Sequence, residues 1–251
     1  SGEPGNQNFL TPEFWQPMVE TVHGTIVECN TAYPGERNTT DAHRRTMIKH
    51  GWSKLFNVDI LDAEGPDLEL PIPNGKRIQK NLVGKDIKNY DSMLVLSHFK
   101  GHPMGGFGGA LKQLSIGCAS SAGKANIHGA GKPEEMWTTE QNAFLESMAD
   151  AAESVVKLFD GKIVYINVMK NMSVDCDCCA VAEDPCMKDI GILASLDPIA
   201  IDQACLDLVY ASDDPVRDHL VERIESLNGV HTVEAAAELG FGSREYELIE
   251  L

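Results

Sequence analysis

Apolar positions in this chain gather into short runs that alternate with amphipathic stretches. Gly24 to Glu28 (GTIVE), Val58 to Leu61, Ser92 to Ser97 (SMLVLS), Lys162 to Val168 (KIVYINV) and Ile190 to Ser195 (IGILAS) are rich in Ile, Val and Leu. Such runs read as buried strands. Between them lie helix signals. Thr11-Pro12-Glu13 supplies a cap, a first-turn proline and an acid, with Phe14, Met18 and Val22 on one face and Pro17 expected to kink or shorten the helix. Thr40 to His50 reads as a helix closed by Gly51, and another starts near Gly109. Thr138 or Thr139 caps a long helix through about Phe159, Asp197-Pro198 opens one to about Tyr210, and Asp214 to Leu227 and Thr232 to Leu239 form two more. Asn74-Gly75, inside Leu68 to Lys80, signals a hairpin, and Tyr246 to Ile249 reads as a last edge strand.

Strands alternating with helices predict crossover connections. The expected fold is α/β, a mainly parallel sheet with helices on both faces. It is expected to form one domain over residues 1–251, with a small β-rich insertion at 58–90. The chain shows no repeat, low-complexity segment or linker. It opens on Ser1 rather than Met, and Ser1 to Phe9 is polar with no signal-peptide core, so an upstream segment is expected.

Composition narrows the function classes. Hydrophobic residues make up 43% and charged residues 24% of 251, which is ordinary for a globular protein. Acids outnumber bases 38 to 21, for a net charge of −17. That field repels phosphate backbones and anionic lipid, so neither nucleic acid nor a membrane is an expected partner. No apolar run approaches the roughly 18 residues of a spanning helix. Seven Cys is an odd number in a chain too long to need a disulfide framework, so reduced thiols and a cytoplasmic location are expected.

In α/β sheets ligands collect at the carboxyl ends of strands. Three segments leave strong strands there. Ser97 to Lys112 (SHFKGHPMGGFGGALK) carries His98, His102 and five glycines. Gly105, Gly106, Gly108 and Gly109 would let backbone amides approach an anion, with Lys112 in the first turn of the next helix. P-loop and Rossmann spacings are absent. Ser115 to His128 (SIGCASSAGKANIH) offers Ser120, Ser121 and Lys124 to an anion, and His128 as a third imidazole. Ser173 to Asp189 (SVDCDCCAVAEDPCMKD) places Cys176 and Cys178 two apart, on one face if extended, with Cys179 and Cys186 nearby. Ferredoxin spacing and paired C-x-x-C are absent. Asp197 reads as an N-cap, and Asp202 as a partner to a ligand or lysine. Asn30, Tyr33 and Arg37 follow the first strand and could line the same cleft. G-x-S-x-G and kinase motifs are missing.

The stretches VLSHFKGHPMGGFGGALKQLSIGCASSAGKANIHGAG and INVMKNMSVDCDCCAVAEDPCMKDIGILASLDPIAIDQACLDLV resemble the family labelled domain of unknown function 362, as do the opening SGEPGNQNF and the closing GSREYELI. Members often carry a separate ferredoxin module, so the resemblance implies an iron–sulfur or redox connection. It also ranks Cys176 and Cys178 ahead of Cys179 and Cys186, and implies sequence upstream of Ser1.

Three readings follow. The first is a metal-binding protein, expected to be an enzyme. Cys176 and Cys178, with one or two of His98, His102 and His128, hold zinc or iron, as suits soft ligands, beside the glycine-rich anion loop. Lys112, Lys124 and Asp202 are its candidate catalytic residues. The second is an iron–sulfur or dithiol protein passing electrons to a redox partner. The third is a module that binds a small anionic molecule without catalysis.

Overall fold

The computed structural model describes residues 2–251; Ser1, on which the expected upstream segment rests, lies outside the described residues. Helices follow the capping signals closely. They are α1 (Pro12–Thr21), α2 (Thr40–Lys49), α3 (Trp52–Leu55), α4 (Ala110–Lys112), α5 (Ser121–His128), α6 (Gln141–Phe159), α7 (Pro198–Ala211), α8 (Arg217–Ser226) and α9 (His231–Leu239). Pro17 sits inside α1 without ending it. Asp197 caps α7 by accepting the amides of Ile199 and Ala200. Glu140, rather than a threonine, caps α6. Its side chain reaches two first-turn amides, as Asp would one bond shorter.

The strands are β1 (Ile26–Glu28), β2 (Val58–Ile60), β3 (Leu68–Pro71), β4 (Lys80–Val83), β5 (Met93–His98), β6 (Lys100–His102), β7 (Gly106–Gly108), β8 (Ile163–Met169) and β9 (Gly191–Ser195). Here the expectation of one mainly parallel sheet is corrected. The chain is mixed α/β, with small sheets of both senses: β1–β2 parallel, β3–β4 and β6–β7 antiparallel, and a three-stranded sheet ordered β5-β8-β9. In that sheet β5 and β8 are parallel and β8 and β9 antiparallel. The reason lies in the connections. α4, α5 and α6 cross between β5 and β8, which a parallel pair requires. Residues 170–190 contain no helix, so the chain turns back and enters beside β8 in the opposite sense. The expected edge strand at Tyr246 to Ile249 has no regular structure.

The hairpin around Asn74-Gly75 is real but wider than a two-residue turn. Leu70 pairs with Asn81, Ile72 N donates to Gln79 O, and Asp150 of α6 accepts the amides of Lys76, Arg77 and Ile78 at its tip. The main core joins β5 and β8 to α4, α6, α7 and α9 through residues such as Val95, Tyr165, Leu111, Val155, Ile201 and Val233. A second cluster packs Trp15, Met47 and Trp52 against Leu96, Ile166 and Val168 on the other face. Between β1 and β5, which belong to separate sheets, lies a cavity of about 250 Å³.

Candidate thiolate and imidazole site

Parallel pairing puts the carboxyl ends of β5 and β8 side by side, with Ser97 opposite Asn167 and His98 opposite Val168. The chain leaving β5 turns into the β6/β7 hairpin, and the chain leaving β8 becomes the cysteine-rich loop. The two segments touch. Gly101 N donates to Ser173 O at 2.8 Å, and a Cβ on Gly101 would stand 2.3 Å from Val174 O. Glycine is what permits this approach.

Cys176 and Cys178 do come together, but by a turn rather than along an extended face. Cys179 N donates to Cys176 O at 2.9 Å, and Cys178 N donates to Cys176 Sγ at 3.3 Å. One ligand atom from each of His102, Cys176 and Cys178 lies within 4.8 Å of the others, a grouping that could hold a metal ion. Cys176 is 2% exposed. Lys112 Nζ donates to its sulfur at 3.6 Å. Hydrogen bonding from the Cys178 thiol, with the charges of Lys112 and Lys100, outweighs burial and holds the Cys176 thiol well below its usual range. The same hydrogen bond pushes Cys178 up. The pair therefore divides into a thiolate at 176 and a thiol at 178.

His102 is ordered by its backbone neighbours. Its Nδ1 accepts the amides of Met104 (3.2 Å) and Gly105 (2.9 Å). Burial, then Lys112, lowers its pKa, which favours the neutral ring. With Nδ1 accepting, this hydrogen-bond pattern places the one ring proton on Nε2, which faces Cys178 Sγ at 3.8 Å. A metal bound through Nε2 needs that lone pair, with Nδ1 donating outward. The hydrogen bonds here run the other way, and an ammonium already occupies the front of Cys176. As bonded in this structure, the three residues fit a thiolate–imidazole network better than a centre ligated by all three.

His98, expected as a ligand, reaches the site indirectly. Its Nδ1 lies 3.0 Å from both Asp177 oxygens and its Nε2 2.6 Å from Lys170 O, so both ring nitrogens face oxygen acceptors. Lys100 Nζ meets Asp177 at 3.1 Å. Burial opposes the Asp177 charge, but Lys100 and His98 overcome it and hold the carboxyl well below the usual range. His128 donates Nδ1–H to Lys124 O at 2.7 Å and stacks on Phe144; burial pushes it down to about 4. It lines the cavity but lies outside the three-residue grouping.

His98, His102, Lys112, Lys124, His128, Cys176 and Cys178 thus line one cavity, with Tyr33 and Arg37. The glycine loop and the serines lie elsewhere. The anion held at the start of α4 is the protein's own Asp202, which accepts the amides of Ala110 (2.7 Å) and Leu111 (2.9 Å) and the side-chain amide of Asn167 (2.7 Å). A Cβ on Gly109 would stand 2.3 Å from that carboxylate. Gly105 packs near Met148, Gly106 adopts φ +78° against Gly229, and Gly108 faces the Lys112 stem. Ser120 caps α5 and donates to Asp67, while Ser121 binds Asp62 and the Thr31 carbonyl.

Sequence reasoning missed Lys100, Asp177 and the opening segment. Asn6 Nδ2 donates to Cys179 O (2.9 Å) and Cys176 O (3.3 Å), Glu3 N donates to Asp177 O (2.8 Å), and the Glu3 carboxylate pairs with Arg37 (2.7 Å). This segment straps the cysteine turn. In the sequence this segment stands out by its polar residues and by its share in the family resemblance. Cys29 and Cys118 also line the cavity, and Cys29 donates to the Cys118 carbonyl at 3.4 Å. Burial raises both thiols, Cys118 to about 12.

Fold and site together define a mixed α/β protein with a buried cysteine in contact with a lysine, beside a second cysteine and a histidine. The family model for the domain of unknown function DUF362 matches residues 1–207, and the chain belongs to that family. Searches of curated proteins and of solved structures give no match. No helix among the described residues is long and apolar enough to cross a membrane, and all seven cysteines are free thiols.

Proposed function

We propose that this chain is a thiol-dependent oxidoreductase in which Cys176 is the reacting thiolate and Cys178 its resolving partner. The observation that carries this reading is the contact of Lys112 Nζ with a buried Cys176 Sγ, beside a second thiol. A cation stabilises the thiolate, which is the nucleophilic form. In the exchange, Cys176 attacks one sulfur of a small oxidised disulfide and releases the other as a thiolate. Cys178 then passes its proton to that released thiolate and attacks Cys176, closing a Cys176–Cys178 disulfide and releasing the second thiolate. Two electrons pass from the protein to the substrate. His102, with Nε2–H aimed at Cys178, steadies negative charge on sulfur as it passes between the two residues.

A second reading is a soft-metal centre, zinc or iron, on Cys176 and Cys178. The closeness of the His102 nitrogen favours it. It requires the His102 proton and Lys112 to give way. Elemental analysis of anaerobically purified protein, combined with timed alkylation of its thiols, separates the two. The dithiol reading expects no stoichiometric metal and fastest labelling at Cys176. Stoichiometric zinc or iron that shields Cys176 until a chelator is added overturns it in favour of the metal.

A further inference from the structure

The cavity's charge runs against that of the whole chain. Acids outnumber bases nearly two to one overall, yet Arg37, Lys100, Lys112 and Lys124 line this cavity against only Glu28 and Asp177. Two of the cations are committed: Arg37 to Glu3 and Lys100 to Asp177. Lys112 and Lys124 form no ion pair with a carboxylate among the described residues; their partners are the Cys176 sulfur and the Ala119 carbonyl. Lys124 is 6% exposed, and a carbonyl dipole is a modest partner for a buried ammonium. On α5, Lys124 and His128 stand one turn apart and both line the cavity. Lys112 enters from α4 where that helix widens into the π turn Gln113–Gly117.

We infer that Lys124 and Lys112 bind an oxyanion, carboxylate or phosphate, on a small substrate whose other end reaches Cys176. The inference deepens the thiolate reading and rests on it for which end of the ligand reacts. The anion supplies the counter-charge that Lys124 lacks, and the strapped cysteine turn sets how far away the sulfur stands. The roughly 250 Å³ of the cavity limits the ligand to metabolite size. The site is built from the lysines of α4 and α5 and not from the glycine-loop amides, which Asp202 already holds.

The test uses the whole chain with inorganic phosphate and, separately, succinate, each against sodium chloride at equal ionic strength. Thermal unfolding is followed as the anion is raised. A saturable rise in Tm with either probe is expected, and which probe acts distinguishes phosphate from carboxylate. Lys124→Gln raises the half-saturating concentration about tenfold, the size of one lost charge-assisted contact. Lys132→Gln, at an exposed lysine outside the cavity, leaves it unchanged. Should Lys124→Gln not fold, the same anion must slow alkylation of Cys176 in the unaltered chain with the same concentration dependence. No stabilisation beyond chloride by either anion, or stabilisation that Lys124→Gln retains, overturns the inference. Cys176→Ser keeps the two ideas apart: saturable stabilisation in that variant upholds the anion site even if Cys176 proves unreactive.

Discussion

The glycine-rich run before α4 and the cysteine-rich run after β8 look equally promising in the sequence, and the structure gives them opposite jobs. Each contains or meets an aspartate, buried at the glycine run and half-buried at the cysteine run. Asp202, at the glycine run, is held by two backbone amides and one side-chain amide, with no cation. Burial wins there and raises its pKa to about 6. Asp177, in the cysteine run, is held by Lys100 and His98, and its pKa falls. Dipoles hold a carboxylate in place without repaying all its desolvation, whereas full charges beside it repay more. Asp202 pins α4, β8 and α7 together. Asp177 belongs to a charged network that continues through Lys100 to Cys176. Candidate chemistry is better recognised by the charge that surrounds a buried group than by the glycines or acids near it in sequence.

The sharpest way to break this contrast is Asp202→Ala. It leaves the amides of Ala110, Leu111 and Asn167 unsatisfied in the core and is expected to cost about 3 kcal/mol. Urea unfolding of the variant decides it: a midpoint unchanged from the parent would mean the clamp holds nothing. Gly109→Ala crowds the same carboxylate and is expected to cost about 2 kcal/mol by overpacking, read from the shift in Tm.

Titration separates the two aspartates by sign. Asp202 is raised on folding, so its contribution is fully present below about pH 4 and is lost as pH climbs through about 6, a change of at most about 3 kcal/mol. Asp177 is lowered, so its contribution is present above about pH 4 and is lost as the solution is acidified. In a stability–pH profile, Asp202→Asn should flatten the pH 4 to 6 limb and Asp177→Asn the acid limb. Finding both effects on one limb would refute the distinction.

Smaller effects sharpen the cysteine side. Lys112→Gln removes a cation from Cys176, so the pH midpoint of its iodoacetamide alkylation should rise, with labelling on the acid side of the parent's midpoint about tenfold slower. A profile that stays put would show that Lys112 does not set the thiolate. Asn6→Ala deletes two hydrogen bonds to the cysteine turn and is expected to cost about 1 kcal/mol. Mass-spectrometric hydrogen exchange should show faster exchange over residues 174–180 and little change in α4.

Much of this protein is local and was legible in order along the chain. Helix starts such as Asp197-Pro198, and strands such as Met93–His98 and Ile163–Met169, depend on capping and apolar runs a few residues long. The pairing of His102 with Cys176 and Cys178 was foreshadowed too, because parallel strands must set their carboxyl ends together. Strand sense was not legible for β9, because it depends on whether residues 170–190 build a crossover helix, and they build a turn network instead. Nor was the occupant of the glycine loop, since Asp202 lies more than ninety residues downstream of Gly109 and meets it only when α7 docks. The clamping of the cysteine turn by Glu3 and Asn6, and the meeting of Cys29 with Cys118, likewise join residues far apart in the chain. A residue type and its neighbours determine what a group can do. Tertiary packing decides its burial and its charged company, and so whether a buried acid becomes a clamp or a sulfur becomes a thiolate.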